Sequence, residues 1–191
     1  TEAGREEILD RRIGENELKT IRFVRTFVDA EKEYFKKDRD GDSLREYAQK
    51  AFSSPGKKDG LYWDSTGQNE QSPLGPEAVA AAQEGYRRKG NEPIPYHGYF
   101  FKILTAQGEN ALGGKTNYLD KRGNLTKGFA LIAYPARWGA SGIFSFIVNQ
   151  EGVVYQKDLG IQTLAAVEAI DKFDPDLSWD PVADPGEDSI E

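Results

Sequence analysis

Three aspartates at alternate positions form the most specific chemical pattern in the sequence. Asp38, Asp40 and Asp42 stand at a spacing that lets a tight loop direct three carboxylates at one ion. Calcium takes roughly six to eight oxygen ligands, and Glu46 adds a further carboxylate in the same segment. We therefore predict a calcium site at Asp38, Asp40, Asp42 and Glu46. The alternative is a polar turn that follows a helix.

This segment departs from the EF-hand calcium loop at two positions. Ser43 stands at the sixth position, where that loop has glycine. Gln49 stands at the twelfth position, where the loop has a bidentate glutamate. Without that glutamate, we expect weak calcium affinity or an additional oxygen ligand from another segment.

His97 is the single histidine of the chain. Metal sites and mechanisms that need two histidines are therefore excluded. An imidazole titrates near neutral pH and can act as a general base, so one hypothesis is a hydrolase that uses His97. The alternative is a structural role at the start of a strand. The sequence has no cysteine, which excludes disulfides, zinc–thiolate sites and a cysteine nucleophile.

Aromatic side chains are the other group of residues suited to ligand contact. Tyr and Trp combine a large apolar ring with a polar group, and His97 stands among them in the sequence. The alternative for each ring is a place in the core or as a loop anchor. We predict a ligand surface formed by Trp63, Tyr96, His97 and Trp138.

Helices are predicted in the first half of the chain, which contains the candidate residues from Asp38 to Trp63. Residues 5–13 are predicted to form a short lead-in helix within 1–14 that ends at Gly14, and Asn16 is suited to cap the next helix. From 17 to 37, apolar residues recur at helical spacing and draw one stripe along a helix of about 30 Å. Further short helices are predicted at 44–52, 77–88 and 161–173.

From His97 onward, the pattern changes to the alternation that is typical of β-strands. The segment 149–152 is a four-residue hairpin signal that ends in glycine. Helices followed by strands indicate an α+β fold, with the long N-terminal helix packed on an antiparallel meander sheet. The strands are predicted at 97–106, 117–119, 125–127, 129–136, 143–149 and 153–157.

The charge of the chain is concentrated at its C-terminal end. The 191 residues carry a net charge of −7, and the excess of acids lies within 171–191. We predict a single domain over 1–173, followed by an acidic, proline-containing tail at 174–191 whose first part is held by Trp179. The net charge of −7 argues against a nucleic-acid partner, and no apolar run is long enough to span a membrane.

Three long strings resemble the signatures of a bacterial family of unknown function that occurs in exported or periplasmic proteins. The resemblance extends over nearly the whole chain and implies a periplasmic or secreted protein, with a signal segment upstream of Thr1. It implies no catalytic residue. The strings are FFKILTAQG (100–108), GFALIAYPARWG (128–139) and FIVNQEGVVYQKDLG (146–160).

The order of elements also resembles that of pilins and pseudopilins. Those proteins pack a long N-terminal helix on an antiparallel sheet, and the major pseudopilins bind calcium. In this chain, the helix from Glu17 carries Glu, Lys and Arg on its outer face. The resemblance therefore implies a pilin-like shape without bilayer insertion or filament assembly.

These observations lead to three hypotheses about function. The first is a non-enzymatic extracytoplasmic module of pilin-like shape that binds a protein or a cell-envelope component. The second is a calcium-stabilised ligand-binding domain, and the third is an envelope hydrolase that uses His97.

Overall fold

One long helix opens the chain. The computed structural model describes residues 2–39, 41–65, 70–75, 88–89, 92–93 and 95–183, and α1 extends from Glu2 to Tyr34. At 1.5 Å per residue, α1 is about 50 Å long. Its buried side chains begin at Ile13 and recur at Phe23, Val24 and Phe27, which places one apolar stripe against the sheet.

The predicted separation into a lead-in helix and a second helix is wrong. α1 continues through Gly14, so Asn16 lies inside the helix and does not cap it. The side-chain amide of Asn16 donates to the Ser141 carbonyl at 2.9 Å. Glycine inside a helix costs about 1 kcal/mol relative to alanine. We infer that the helical hydrogen bonds and packing on both sides of Gly14 outweigh this cost.

The strands that follow form one main antiparallel sheet, which confirms the predicted α+β fold. In chain order, the described strands are β1 (Arg88–Lys89), β2 (Glu92–Pro93), β3 (Tyr99–Leu104), β4 (Ala106–Gln107), β5 (Thr116–Asn117), β6 (Ala130–Pro135), β7 (Phe144–Asn149), β8 (Tyr155–Asp158) and β9 (Asp180–Pro181). The strand order in the main sheet is β3-β6-β7-β8-β9, and α1 packs against β6 and β7. Two pairs of two-residue strands, β1 with β2 and β4 with β5, lie outside this sheet.

The two faces of the sheet are covered by different helices. Phe101 of β3 meets Phe23 of α1 at a ring distance of 4.6 Å, so odd-numbered residues of β3 face α1. The next residue, Lys102, faces the opposite side and donates to the carbonyls of Val167 and Ile170 at 3.1 and 2.7 Å. These carbonyls lie at the end of the second helix, α2 (Thr163–Ala169), so Lys102 caps that helix.

Two of the predicted short helices are not formed as expected. In 44–52, backbone groups pair with distant segments instead, for example from Tyr47 N–H to the Leu125 carbonyl at 2.8 Å. In 161–173, only α2 and a preceding 3₁₀ turn (Gly160–Gln162) are helical. Of the predicted helix 77–88, residues 77–87 lie outside the described residues, and Arg88 begins β1.

The main sheet includes two residues that lie beyond residue 173, the predicted end of the domain. Asp180 and Pro181 form the fifth strand of the main sheet, where they pair with Gln156 and Tyr155. Trp179 is 9% exposed and joins the main core, so the predicted role of Trp179 as an anchor is confirmed. Residues 184–191 of the predicted tail lie outside the described residues.

The hairpin predicted at 149–152 is confirmed, since β7 and β8 pair around it and Gly152 has a φ of 88°. None of the described helices is long and apolar enough to cross a membrane.

Candidate functional site

A groove of about 490 Å³ lies in the loop segment beyond the C-terminal end of α1. Residues 52–58 form one part of its wall and residues 62–64 form the other; we call it the 52–64 groove. Its volume lies within the range of roughly 300–1,000 Å³ that is typical of small-molecule sites.

Backbone hydrogen bonds hold the two walls of the groove together. The N–H of Leu61 donates to the Lys50 carbonyl at 3.1 Å, and the N–H of Ser53 donates to the Tyr62 carbonyl at 2.8 Å. Gly60 makes this approach possible, because a Cβ atom at that position would lie 2.6 Å from the carbonyl carbon of Phe52. The groove therefore depends on glycine at this point of the loop.

Asp59 stabilises the turn of the loop through side-chain hydrogen bonds. Its carboxylate accepts from the N–H of Ser54 at 2.6 Å, from the Ser54 hydroxyl at 2.9 Å and from the Lys50 ammonium at 2.7 Å. Partial burial raises the pKa of Asp59, but these donors outweigh it and bring the pKa down to about 2. Asp59 is therefore an ionised structural group at neutral pH.

Arg39 supports the groove from behind Trp63. Its side chain is 2% exposed, and the guanidinium carbon lies 5.4 Å from the centre of the Tyr34 ring and 5.3 Å from that of Trp63. The guanidinium donates to Glu70 at 2.6 Å and to the carbonyls of Tyr34 and Glu33 at 3.1 and 3.0 Å. A planar guanidinium suits a position between two rings, and it joins the end of α1 to the groove wall.

Glu70 is shared by three cations at the same point. Its carboxylate accepts from Lys37 at 3.1 Å, from Arg39 at 2.6 Å and from Lys58 at 2.8 Å. The hydrogen bond from Lys58 is the largest cause of a pKa near 2 for Glu70; burial opposes it, and Lys37 and Arg39 lower the pKa further. Positive charge therefore exceeds negative charge among the groups that meet at Glu70.

The lining of the groove combines ring surface with ammonium groups. Phe52 and Tyr62 are partly exposed and lie with their ring centres 6.1 Å apart, whereas Trp63 is 6% exposed. Lys57 is exposed at the rim, and the ammonium of Lys58 lies 5.3 Å from the Trp63 ring. This lining offers apolar faces and positive charge to a ligand.

The predicted aromatic ligand surface is divided in the structure. Trp63 lines the groove, whereas Tyr96, His97 and Trp138 do not. Tyr96 packs against Phe23, at a ring distance of 5.7 Å, in a small cluster that Phe52 also contacts.

His97 and Trp138 occupy loops at one end of the main sheet. His97 has a φ of 43° and lies in the turn that leads into β3, with its ring 4.2 Å from that of Tyr96. The indole N–H of Trp138 donates to Asp158 at 2.7 Å. The four residues that the sequence analysis grouped into one ligand surface therefore lie in different surroundings, and Trp63 lines the groove.

The predicted calcium segment forms a tight polar turn in the described residues. The carboxylate of Asp38 accepts from the N–H groups of Gly41 and Ser43 at 2.7 and 2.8 Å, and Asp42 accepts from the N–H of Leu44 at 2.8 Å. Asp40 lies outside the described residues, and Glu46 is partly buried. Within the described part of the chain, no three His, Cys, Asp or Glu side chains form a group that could hold a metal ion. Calcium binding stays a prediction.

Sequence reasoning missed the charged residues that support the groove. Arg39 stands between two aspartates and was included in the polar turn, although its partner Glu70 is 31 positions away. No local spacing indicates such a long-range pair. Glu31, which is buried in α1, was also missed, although its position on the apolar stripe of the helix is a signal that could have found it.

Comparisons with known proteins identify a family but no relative of known structure. Neither the curated proteins nor the solved structures contain a match to the chain. The resemblance to pilins therefore rests on the order of elements alone. Residues 1–182 match the family described as a protein of unknown function, DUF2950, and the chain belongs to this family.

Proposed function

We propose that the chain is a non-enzymatic binding module of the bacterial cell envelope, and that the 52–64 groove is where it contacts its ligand. The single observation that carries this proposal is a groove of small-molecule size whose walls are fixed before any ligand arrives. The location outside the cytoplasm rests on the resemblance to exported proteins.

The fixed walls support binding for a thermodynamic reason. Backbone pairing, the Asp59 contacts and the cluster around Glu70 hold an irregular loop in one arrangement. The hydroxyl of Tyr34 also holds this loop by donating to the Lys58 carbonyl at 2.7 Å. A ligand that enters a preorganised site loses less free energy to the ordering of side chains and loops.

The chemistry of the lining also favours binding over reaction. The hydroxyl of Ser53 donates to the Gly60 carbonyl, and that of Ser54 donates to Asp59, so both serve the loop itself. The ring faces and ammonium groups supply contact area and charge, which are the contributions a binding site needs.

Ligand-observed NMR on the intact chain tests the proposal. A panel of neutral sugars, sugar acids and amino acids would be screened, followed by titration of Tyr62→Ala, which removes a lining ring. We expect the variant to lose at least about tenfold in affinity for any compound that binds, since an aromatic contact in a site contributes about 1.5 kcal/mol or more.

Trp138→Ala is the matched control, because it removes an aromatic side chain from the other part of the predicted surface. We expect it to bind like the wild type. Binding that depends on Trp138 and not on Tyr62 would place the ligand outside the groove and contradict the proposal. Thermal melts of both variants establish that they are folded.

A calcium-stabilised binding domain is the second candidate. The observation that favours it is Ser43, whose φ of 70° places a left-handed residue at the position where an EF-hand loop has glycine. A melting temperature that depends on calcium would distinguish this candidate.

A further inference from the structure

We infer that the 52–64 groove selects an acidic saccharide, a pyranose ring that carries a carboxylate, over the corresponding neutral sugar. This inference rests on the proposed function and names the class of ligand for the same groove.

The preference for a pyranose ring is inferred from the aromatic side chains that line the groove. Phe52 and Tyr62 are both partly exposed on the lining, and their rings meet nearly edge to face at 78°. Two rings in that relation offer an angled apolar wall, against which the C–H faces of a sugar ring can pack. The Tyr62 hydroxyl on this lining can both donate to and accept from a sugar hydroxyl.

The preference for a carboxylate on the ligand is inferred from the balance of charge at the groove. Among the described residues that line the groove, two are lysines and one, Asp64, is an acid. Lys57 is exposed at the rim and forms no ion pair with any residue in the described ranges. Lys58 shares Glu70 with Lys37 and Arg39. Arg39 also lies 4.0 Å from the Glu33 carboxylate, which pairs with Lys36, so two carboxylates face four cations among these described ion pairs. An additional carboxylate would therefore meet unbalanced positive charge beside the rings.

A carboxylate fits this charge better than a phosphate does. Phosphate sites commonly use the fork of an arginine or a set of backbone N–H groups. The guanidinium of Arg39 lies behind Trp63 and already donates to Glu70 and to two carbonyls. The N–H groups of Ser53, Ser54 and Lys57 donate to the Tyr62 carbonyl, to Asp59 and to the Ser54 carbonyl, respectively. The charged donors among the described lining residues are therefore lysine ammonium groups, which act as point charges and provide no bidentate fork for a phosphate.

Titration of the intact chain with glucuronic acid and with glucose tests the inference, because these sugars differ only at C6. We expect glucuronic acid to bind about two to five times more tightly at low salt, in line with a partly exposed ion pair, and the difference to shrink as salt is added. Lys57→Gln should bring the affinity for glucuronic acid close to that for glucose. Because Lys57 is exposed, the Lys57→Gln variant should have the same melting temperature as the wild type.

Lys121→Gln makes the same change of charge in the turn at 120–124 and should keep the preference for the acid. Equal affinities for the two sugars, or a preference that survives Lys57→Gln, would overturn the inference while the proposed function stands. Tighter binding of glucose 6-phosphate than of glucuronic acid would also overturn it. If binding of every compound in the panel is unaffected by Tyr62→Ala, the proposed function fails as well.

Discussion

Glu31 of α1 and Ala48 meet in the interior of the domain, where the Glu31 carboxylate accepts the Ala48 backbone N–H at 2.8 Å. The side chain of Glu31 is fully buried, and its second oxygen, Oε1, has no hydrogen-bond partner among the described residues. Burial raises the pKa of Glu31 well above its usual value of 4.5, although the hydrogen bond from Ala48 opposes the change. The folded protein therefore favours the protonated form of Glu31.

The first prediction concerns the effect of Glu31 on the pH dependence of stability. A carboxyl group with a raised pKa in the folded state binds its proton more tightly there than in the unfolded chain. Its contribution to stability is complete below about pH 4.5 and is lost as the pH rises through the folded-state pKa. We expect Glu31→Gln to gain stability over the wild type as the pH rises from 4.5 to 8, measured by urea unfolding. A difference that stays constant over this range would contradict the raised pKa.

The second prediction concerns Glu70, whose pKa is shifted in the opposite direction. Its pKa of about 2 in the folded state means that its contribution is present above about pH 4.5 and is lost as the pH falls towards 2. We expect Glu70→Gln to lower the free energy of unfolding by about 1–2 kcal/mol at pH 7. The neutral amide of glutamine would bind the three cations more weakly than the carboxylate does. The same comparison at pH 2 should show little difference. Glu7→Gln, which removes an exposed i,i+4 pair with Arg11, is the control and should change stability by less than about 0.5 kcal/mol.

The main sheet was predictable because each strand or turn has a pattern within a short segment of the sequence. Alternation of side chains indicated β3, and a run of β-favouring residues indicated β6. The turn at 149–152 with its glycine indicated the hairpin between β7 and β8. β9 was not predictable in this way. Its two residues, Asp180 and Pro181, are held by pairing with β8 and by the burial of Trp179.

The groove was less predictable because its contacts join residues far apart in the chain. Leu44 to Phe52 has helical spacing, yet bonds from this segment to Leu125 and Tyr62 determine its structure. Trp63 was recognised as a candidate from its residue type alone. The pairing of Arg39 with Glu70 depends on the path of the chain between them, which no local pattern specifies.

The third prediction concerns Gly14, where the structure differs from the expected break between two helices. An alanine Cβ at Gly14 would have no atom within 4 Å, and the residue lies inside the continuous helix α1. We expect Gly14→Ala to raise the free energy of unfolding by about 0.5–1 kcal/mol through helix propensity. Gly108→Ala is a contrasting variant, because its Cβ would lie 2.0 Å from the Asp174 carboxyl carbon, and we expect a loss of about 1–3 kcal/mol. A destabilising Gly14→Ala would support a helix end at that residue.

The fourth prediction concerns calcium. If the segment that begins at Asp38 binds the ion, millimolar calcium should raise the melting temperature relative to a chelator, because a ligand that binds only the folded state stabilises it. Asp42→Asn should abolish this shift. In the absence of calcium it should lower stability by no more than about 1 kcal/mol, since Asp42 is exposed where it accepts the Leu44 N–H. Asp10→Asn, on the exposed part of α1, is the matched control and should keep the shift. An unchanged melting temperature in millimolar calcium would leave the aspartates as a polar turn, whose role is to accept the backbone N–H groups that follow α1.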